Sequence, residues 1–313
     1  MTNLTSSTNS SLSQGVSRDH EGERIVQRRA GEQRPGRGSP MFDGELHSAF
    51  TEVIAAQPMV ILGSPDSRGM LWASILTAEA GLAQAEKNTI VFSALPVPGD
   101  PLVGAFDSER PCATLFLDVE SRRRVRVNGP MVRDGDRLVL HSDLAFRNCP
   151  KYIHRRELIA AAPAAEPRVT SGSELTAAQQ QWISDSDTFF IASYSPQHGA
   201  DVNHRGGPAG FVSVADARRI SWPDYPGNSF YMTFGNLELN PACGLCFLDW
   251  EHGRTLHLSG AASIDWGPDP HDHTARLVHF EIDRVIEIRN ATNLRWQSVD
   301  CLDPNTPPQE GKQ

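Results

Sequence analysis

Phe116-Leu117-Asp118-Val119-Glu120 and Phe247-Leu248-Asp249-Trp250-Glu251 differ at one residue in five. The spacing between them (249 − 118 = 131) also brings Arg123 onto Arg254, Gly129 onto Gly260, and Val125 and Val127 onto Leu256 and Leu258. In both windows apolar residues alternate with polar ones, the period of a strand with one face buried. The same spacing sets Ser64-Pro65 on Ser195-Pro196, and with one residue of gap Pro111 meets Pro241. The chain therefore contains one β unit twice.

Each unit opens alike. Leu46, Phe50, Val53 and Ile54 fall at helical spacing, Pro58 ends the helix, and Met59-Val60-Ile61-Leu62 reads as a strand. In the second unit Thr176 and Gln179 form a capping box with Leu175 as its staple, and a helix through Trp182 and Ile183 precedes a strand over 188–192. Strands outnumber helices, the turns are rich in Gly, Pro, Asp and Asn, and no glycine-rich strand-to-helix turn suggests a dinucleotide fold or P-loop. The expected organisation is a flexible tail over 1–40, a first β unit over 41–165, a second over 170–300, and a short tail over 301–313, with the Ala/Pro stretch 160–167 as linker. Within the first tail, Arg24 to Arg29 can dock as a short helix.

Composition narrows the function. With 29 basic and 38 acidic residues the net charge is −9, a field that repels phosphate backbones and acidic membrane surfaces, so neither nucleic acid nor a membrane is expected as partner. No apolar run reaches membrane-spanning length and no apolar leader precedes the folded part, which makes a cytoplasmic location the expectation. The five cysteines read as reduced thiols. Cys243 and Cys246 have redox or metal spacing but lie in an apolar strand, where residues three apart face opposite ways, and are expected to pack as core. His271-Asp272-His273 lacks a third ligand and reads as solvated, so no metal is expected. Arg122-Arg123-Arg124 is either a solvated edge or a contact for a cofactor phosphate. No nucleophile elbow points to hydrolysis.

Two segments suit ligand chemistry. Asn203-His204-Arg205-Gly206-Gly207 joins a guanidinium fork to glycines whose N–H groups an anion can approach, a composition fit for a phosphate cradle and equally for a strained hairpin. Trp222-Pro223-Asp224-Tyr225-Pro226-Gly227-Asn228 and Thr233-Phe234-Gly235-Asn236 offer an aromatic wall of Trp222 and Tyr225, with further hydrogen-bonding groups in Thr233, Gly235 and Asn236. A plain turn over a core tryptophan explains the same residues.

Taken with Asp187 to Ser193, Asn240-Pro241 and Phe247-Leu248-Asp249, these segments resemble the pyridoxamine 5'-phosphate oxidase-like FMN-binding split-barrel family. The first unit is similar to the companion half of longer members, through Leu71-Trp72-Ala73-Ser74, Arg122 to Gly129 and Asn148 to Ile153, and the likeness extends to Gly22-Glu23-Arg24-Ile25-Val26-Gln27. The resemblance implies a mainly β fold, two tandem Greek-key split β-barrel units of six strands with flanking helices, FMN held non-covalently where two barrels meet, and a homodimer. It implies hydride or electron transfer through the flavin, with a small-molecule substrate and NAD(P)H as partners. A non-catalytic flavin sensor and a haem-binding split barrel are the alternatives. No arginine-rich substrate-phosphate signature stands near Leu294-Arg295-Trp296, which argues against vitamin B6 as substrate. By position, Asn203, His204, Arg205, Gly206, Gly207, Trp222, Thr233, Gly235 and Asn236 line the cofactor, and no catalytic acid or base is named beyond His204 as a candidate. At the 131 spacing Ala73 to Leu76 replace His204 to Gly207, and at the spacing of 130 that holds near the proline Val103 and Phe106 replace Thr233 and Asn236, so one FMN per chain is expected, held by the second unit and covered by the first.

Overall fold

The computed structural model describes residues 20–32, 44–147, 150–267 and 276–299. Helices α1 (Glu21–Arg29) and α2 (Ser48–Ala56) precede the first unit's strands: β1 (Met59–Pro65), β2 (Leu71–Thr77), β3 (Ala83–Glu86), β4 (Thr89–Phe92), β5 (Arg110–Asp118), β6 (Arg123–Asp134), β7 (Arg137–His141) and β8 (Leu144–Arg147). A 3-10 turn, Ala105–Asp107, lies between β4 and β5. After β9 (Arg156–Ala161) and β10 (Arg168–Gly172) the second unit runs through α3 (Ala177–Asp185), β11 (Thr188–Ser195), β12 (Gly199–Gly206), β13 (Ser213–Val214), β14 (Arg219–Pro223), α4 (Met232–Leu239), β15 (Ala242–Asp249), β16 (Arg254–Asp265), β17 (Leu277–Arg289) and β18 (Leu294–Ser298).

The two sheets share one strand order. The first runs β2-β1-β5-β6-β7-β4-β3 and the second β12-β11-β15-β16-β17-β14-β13, all pairs antiparallel. The six strands expected per unit are present in each. Two short accessory strands join them: β3 and β8 in the first sheet, β13 and β10 in the second. Strands β9 and β18 make a separate two-stranded ribbon, in which Ala160 and Ala161, from the stretch read as linker, pair with Arg295 and Leu294.

The register revises the alignment of the two units along their first two strands, and Ser64 stands on Ser193, not Ser195. Leu115 on β5 corresponds to Cys246 on β15 (246 − 115 = 131); their partners on the next strand are Ile61 and Phe190, which are 129 apart. The partners of these two on β2 and β12 are Ile75 and His204, again 129 apart. Helices α2 and α3 keep that offset (177 − 48 = 129). Ile75-Leu76-Thr77-Ala78, not Ala73 to Leu76, therefore stand where His204 to Gly207 stand. A slip of two residues keeps every side chain on its face, so the alternation of apolar and polar residues could not reveal it.

The units pack face to face through small residues. A Cβ on Gly63 would lie 2.9 Å from Val202 Cβ, and one on Gly244 would lie 2.5 Å from Trp72 Cα, so glycine is needed for this close approach. The apolar core is continuous across the junction: Ile61, Ala73 and Leu115 cluster with Phe190, Val202 and Leu245. Cys243 and Cys246 are buried core residues on β15, and burial raises both thiols' pKa. The capping box of Thr176 and Gln179 forms at the head of α3. Arg24 to Arg29 do lie in a docked helix, α1, capped by His20. His271-Asp272-His273, residues 1–19 and 33–40 of the first tail, and 301–313 lie outside the described residues. No helix among the described residues is long and apolar enough to cross a membrane.

Candidate functional site

Alternation on β6 decides where the site lies. Val125 and Val127 point into the first unit's own core, so Arg124, Arg126 and Asn128 share the other face. That face meets the second unit, where Asn128 Nδ2 donates to Ala200 O at 2.9 Å and Arg124 Nη1 to Asn203 Oδ1 at 3.5 Å. Strand β12 turns Asn203 and Arg205 toward the same seam. Two adjoining open clefts follow, with empty volumes of about 490 and 570 Å³, both lined by Asn203, Arg205, Asp224, Tyr225, Gly227 and Asn228. The first cleft extends to Arg126 and Thr233, the second to Arg124, Lys151, Tyr152, His204 and Gly206.

Among these lining residues four are cations (Arg124, Arg126, Lys151, Arg205) and one, Asp224, is an acid. A protein of net charge −9 thus gathers positive charge in one crevice. Arg126 is fully buried and pairs with Asp201 beneath the cleft, yet its Nε has no hydrogen-bond partner. Desolvation, then repulsion from Arg124 and Arg205, holds its pKa well below the usual arginine value. Arg205 is likewise lowered by burial, with Asp224 opposing. Buried cations that raise one another's cost are relieved by a bound anion.

The wall opposite is held in tension. Ser229 and Tyr231, neither of them glycine, have φ of 62° and 60° at the entry to α4. Such backbone costs on the order of 1 kcal/mol per residue and persists only when surroundings fix it. Buried Arg276 does so, donating from Nη1 to Tyr231 Oη at 2.9 Å and pairing with Asp224 at 3.4 Å. Tyr231 Oη donates to Glu32 at 2.7 Å, while Gln27 Nε2 on α1 donates to Ser229 O at 3.2 Å. On the other side Tyr152 Oη donates to Pro226 O at 2.9 Å and its ring stacks on Tyr225 at 5.3 Å.

The residues singled out in the sequence separate into two groups. Asn203, His204, Arg205, Gly206 and Thr233 line the clefts, as does Tyr225. Trp222 is core, packed edge-on against Phe189 at 5.0 Å. Gly207 donates to Asp187 O and accepts from His154. Gly235 is pressed against α1, where its Cβ would meet Glu23 N at 2.6 Å. Asn236 is occupied by His20, Ser193 and Gly199. Of the arginine triplet, Arg122 and Arg123 are exposed and Arg124 reaches the cleft. Sequence reasoning missed Arg126 and Lys151, and the signal available was the Arg-x-Arg-x-Asn alternation on β6. His204 is buried, and desolvation followed by Arg124, His154, Arg156 and Arg205 drives its pKa well below 6.5. The imidazole is therefore neutral near pH 7 and has no proton to give as an imidazolium.

Residues 175–280 match the family model for pyridoxamine 5'-phosphate oxidase. Among solved structures, HupZ of Group A Streptococcus aligns at 13% identity over 38% of this chain and 98% of its own, with a TM-score of 0.30. A protein related to general stress protein 26, of the pyridoxinephosphate oxidase family, from Clostridium acetobutylicum aligns at 11% identity over 38% of this chain and 90% of its own, with a TM-score of 0.28. The FAD binding protein from Mycobacterium smegmatis aligns at 13% identity over 39% and 98%, with a TM-score of 0.25. No curated protein matches.

Proposed function

We propose that this chain, a member of the pyridoxamine 5'-phosphate oxidase-like split-barrel family, binds FMN non-covalently in the joined clefts and is an oxidoreductase acting on a small molecule. The observation that carries the reading is the meeting of half-buried Arg124 and fully buried Arg126 from the first unit with half-buried Arg205 from the second, the Arg126 Nε being without a hydrogen-bond partner. Arg126, Arg205 and the backbone at the head of α4 would hold the phosphate, while the Thr233 hydroxyl donates to Asp201 Oδ2 at 2.8 Å and so steadies the carboxylate that pairs with Arg126. Tyr152, Tyr225 and Phe211 would flank the ring, and Asn203 with neutral His204 would bond its polar edge. Bound flavin supplies hydride and electron transfer. The chain's part is to bind, orient and exclude water.

The first unit is thus more than a cover, because it supplies two of the three arginines. Residues of both units in one chain line the clefts. A full-length preparation with a flavin absorbance spectrum, releasing FMN by mass spectrometry, is the expected result. Bleaching under anaerobic NADPH or NADH supports the oxidoreductase. Flavin that resists every reductant would make the protein a flavin carrier or sensor, and a haem spectrum would refute the proposal.

A further inference from the structure

Pseudo-symmetry pairs the strand contacts between the two units: β12 meets β5 and β6 as β2 meets β15 and β16, so the cleft has a counterpart. Exchange of the units replaces β6 by β16 and β12 by β2. Thr255 and His257 then stand for Arg124 and Arg126 (257 − 126 = 131), Ser74 for Asn203 (203 − 74 = 129) and Leu76 for Arg205 (205 − 76 = 129). The loop before the 3-10 turn, which holds Asp100, stands for the loop that leads into α4.

These replacements meet one another. Ser74 Oγ donates to Asp100 Oδ2, and Leu102 N donates to Asp100 Oδ1 at 2.9 Å. His257 Nε2 lies 3.9 Å from Asp100 Oδ2 and bonds Thr255 Oγ1 at 2.8 Å, while its Nδ1 donates to Ala73 O at 2.9 Å. Ser74, Thr255 and His257 have no solvent exposure and Asp100 has 5%. Burial raises the Asp100 pKa, with His257 and Ser74 pulling it back. A carboxyl group thus accepts a hydrogen bond from the counterpart of Asn203 and lies 3.9 Å from the counterpart of Arg126, two residues that line the open cleft.

We propose that this counterpart is a sealed copy of the ligand site, in which the Asp100 carboxyl fills the position an anionic group of the ligand takes in the open one. The inference rests on the open cleft being the flavin site, and it gives a structural cause for one flavin per chain. Each unit contributes one wall of the working site, and the reciprocal walls have closed on Asp100.

Two measurements on the full chain test it. Absorbance of FMN-saturated protein should give about one flavin per chain; two would overturn the proposal while leaving the flavin reading intact. Asp100→Ala, with Asp100→Ser as the milder cut should the alanine variant not fold, should lower Tm by about 5 °C through the lost buried hydrogen bonds. Sodium formate, which can occupy the vacated position, should restore part of that loss relative to sodium chloride at equal ionic strength and leave the wild type unmoved. A folded variant indifferent to formate would overturn the proposal. This second measurement does not depend on flavin, so a protein that binds none would fail the functional reading alone.

Discussion

Arg205→Ala isolates the contribution of one cation to cofactor binding. The guanidinium lines both clefts, and its contacts with the protein are weak: a hydrogen bond to His204 O at 3.5 Å and an approach to the Phe234 ring at 5.8 Å. Its removal should cost little stability, and desolvation already works against its charge. A charge-assisted bond to phosphate contributes roughly 1.5–3 kcal/mol, equivalent to an affinity loss between about tenfold and 150-fold. Arg205→Lys retains the charge without the fork and should fall between the two. Quenching of FMN fluorescence on titration with apoprotein reads Kd directly, and circular dichroism checks the fold. Raising salt should weaken the wild type more than Arg205→Ala, because one screened contact has gone. An Arg205→Ala variant that folds and binds FMN with unchanged Kd would refute the phosphate assignment.

Arg126→Ala leaves Asp201 buried without its cation and should destabilise the fold by about 3–5 kcal/mol in denaturant titrations, with Asp201→Asn in the same chain recovering part of it. His20 is held down to about 4 by burial, whereas the unfolded residue titrates near 6.5. The unfolded chain therefore takes up a proton that the folded one refuses between those values, so His20 contributes stability fully above pH 6.5 and loses it as pH falls toward 4, and His20→Asn should flatten that part of the pH–Tm curve. Gly22→Ala would press a Cβ to 2.0 Å from Gly235 O and should undock α1, seen as faster limited proteolysis near Arg24 to Arg29, and weaken FMN binding through the freed Ser229 carbonyl.

Duplication, helix-then-strand openings and the β class were legible because each rests on local pattern: period 2 in Val125 and Val127, a capping box at Thr176, a proline at 58. Two things were not. The β2–β12 alignment slipped by two residues, an error that alternation tolerates and only pairing to β1 and β11 corrects. Arg126 was hidden for a related reason. A polar residue opposite a buried valine reads as solvated, and nothing local tells a face that meets water from a face that meets the other unit. Trp222, Gly235 and Asn236 show the converse: their types suit a ligand, yet Trp222 packs in the core and the other two anchor α4 to α1 and β11.

Covalent linkage of the two units explains why such specialisation is open to this chain. In an assembly of identical subunits every position serves both ends of the two-fold, so an arginine at the place of Arg126 and a histidine at the place of His257 could not coexist. Two units in one chain are free of that constraint. Cations can gather at one seam, where Arg124 and Arg205 both work against the charge of Arg126. The opposite seam can satisfy itself with Ser74, Asp100, Thr255 and His257 and stabilise the junction without a ligand. It follows that Arg126→His should abolish binding without resealing the open cleft, because Asp224 is held by Arg276 and cannot take the place that Asp100 takes.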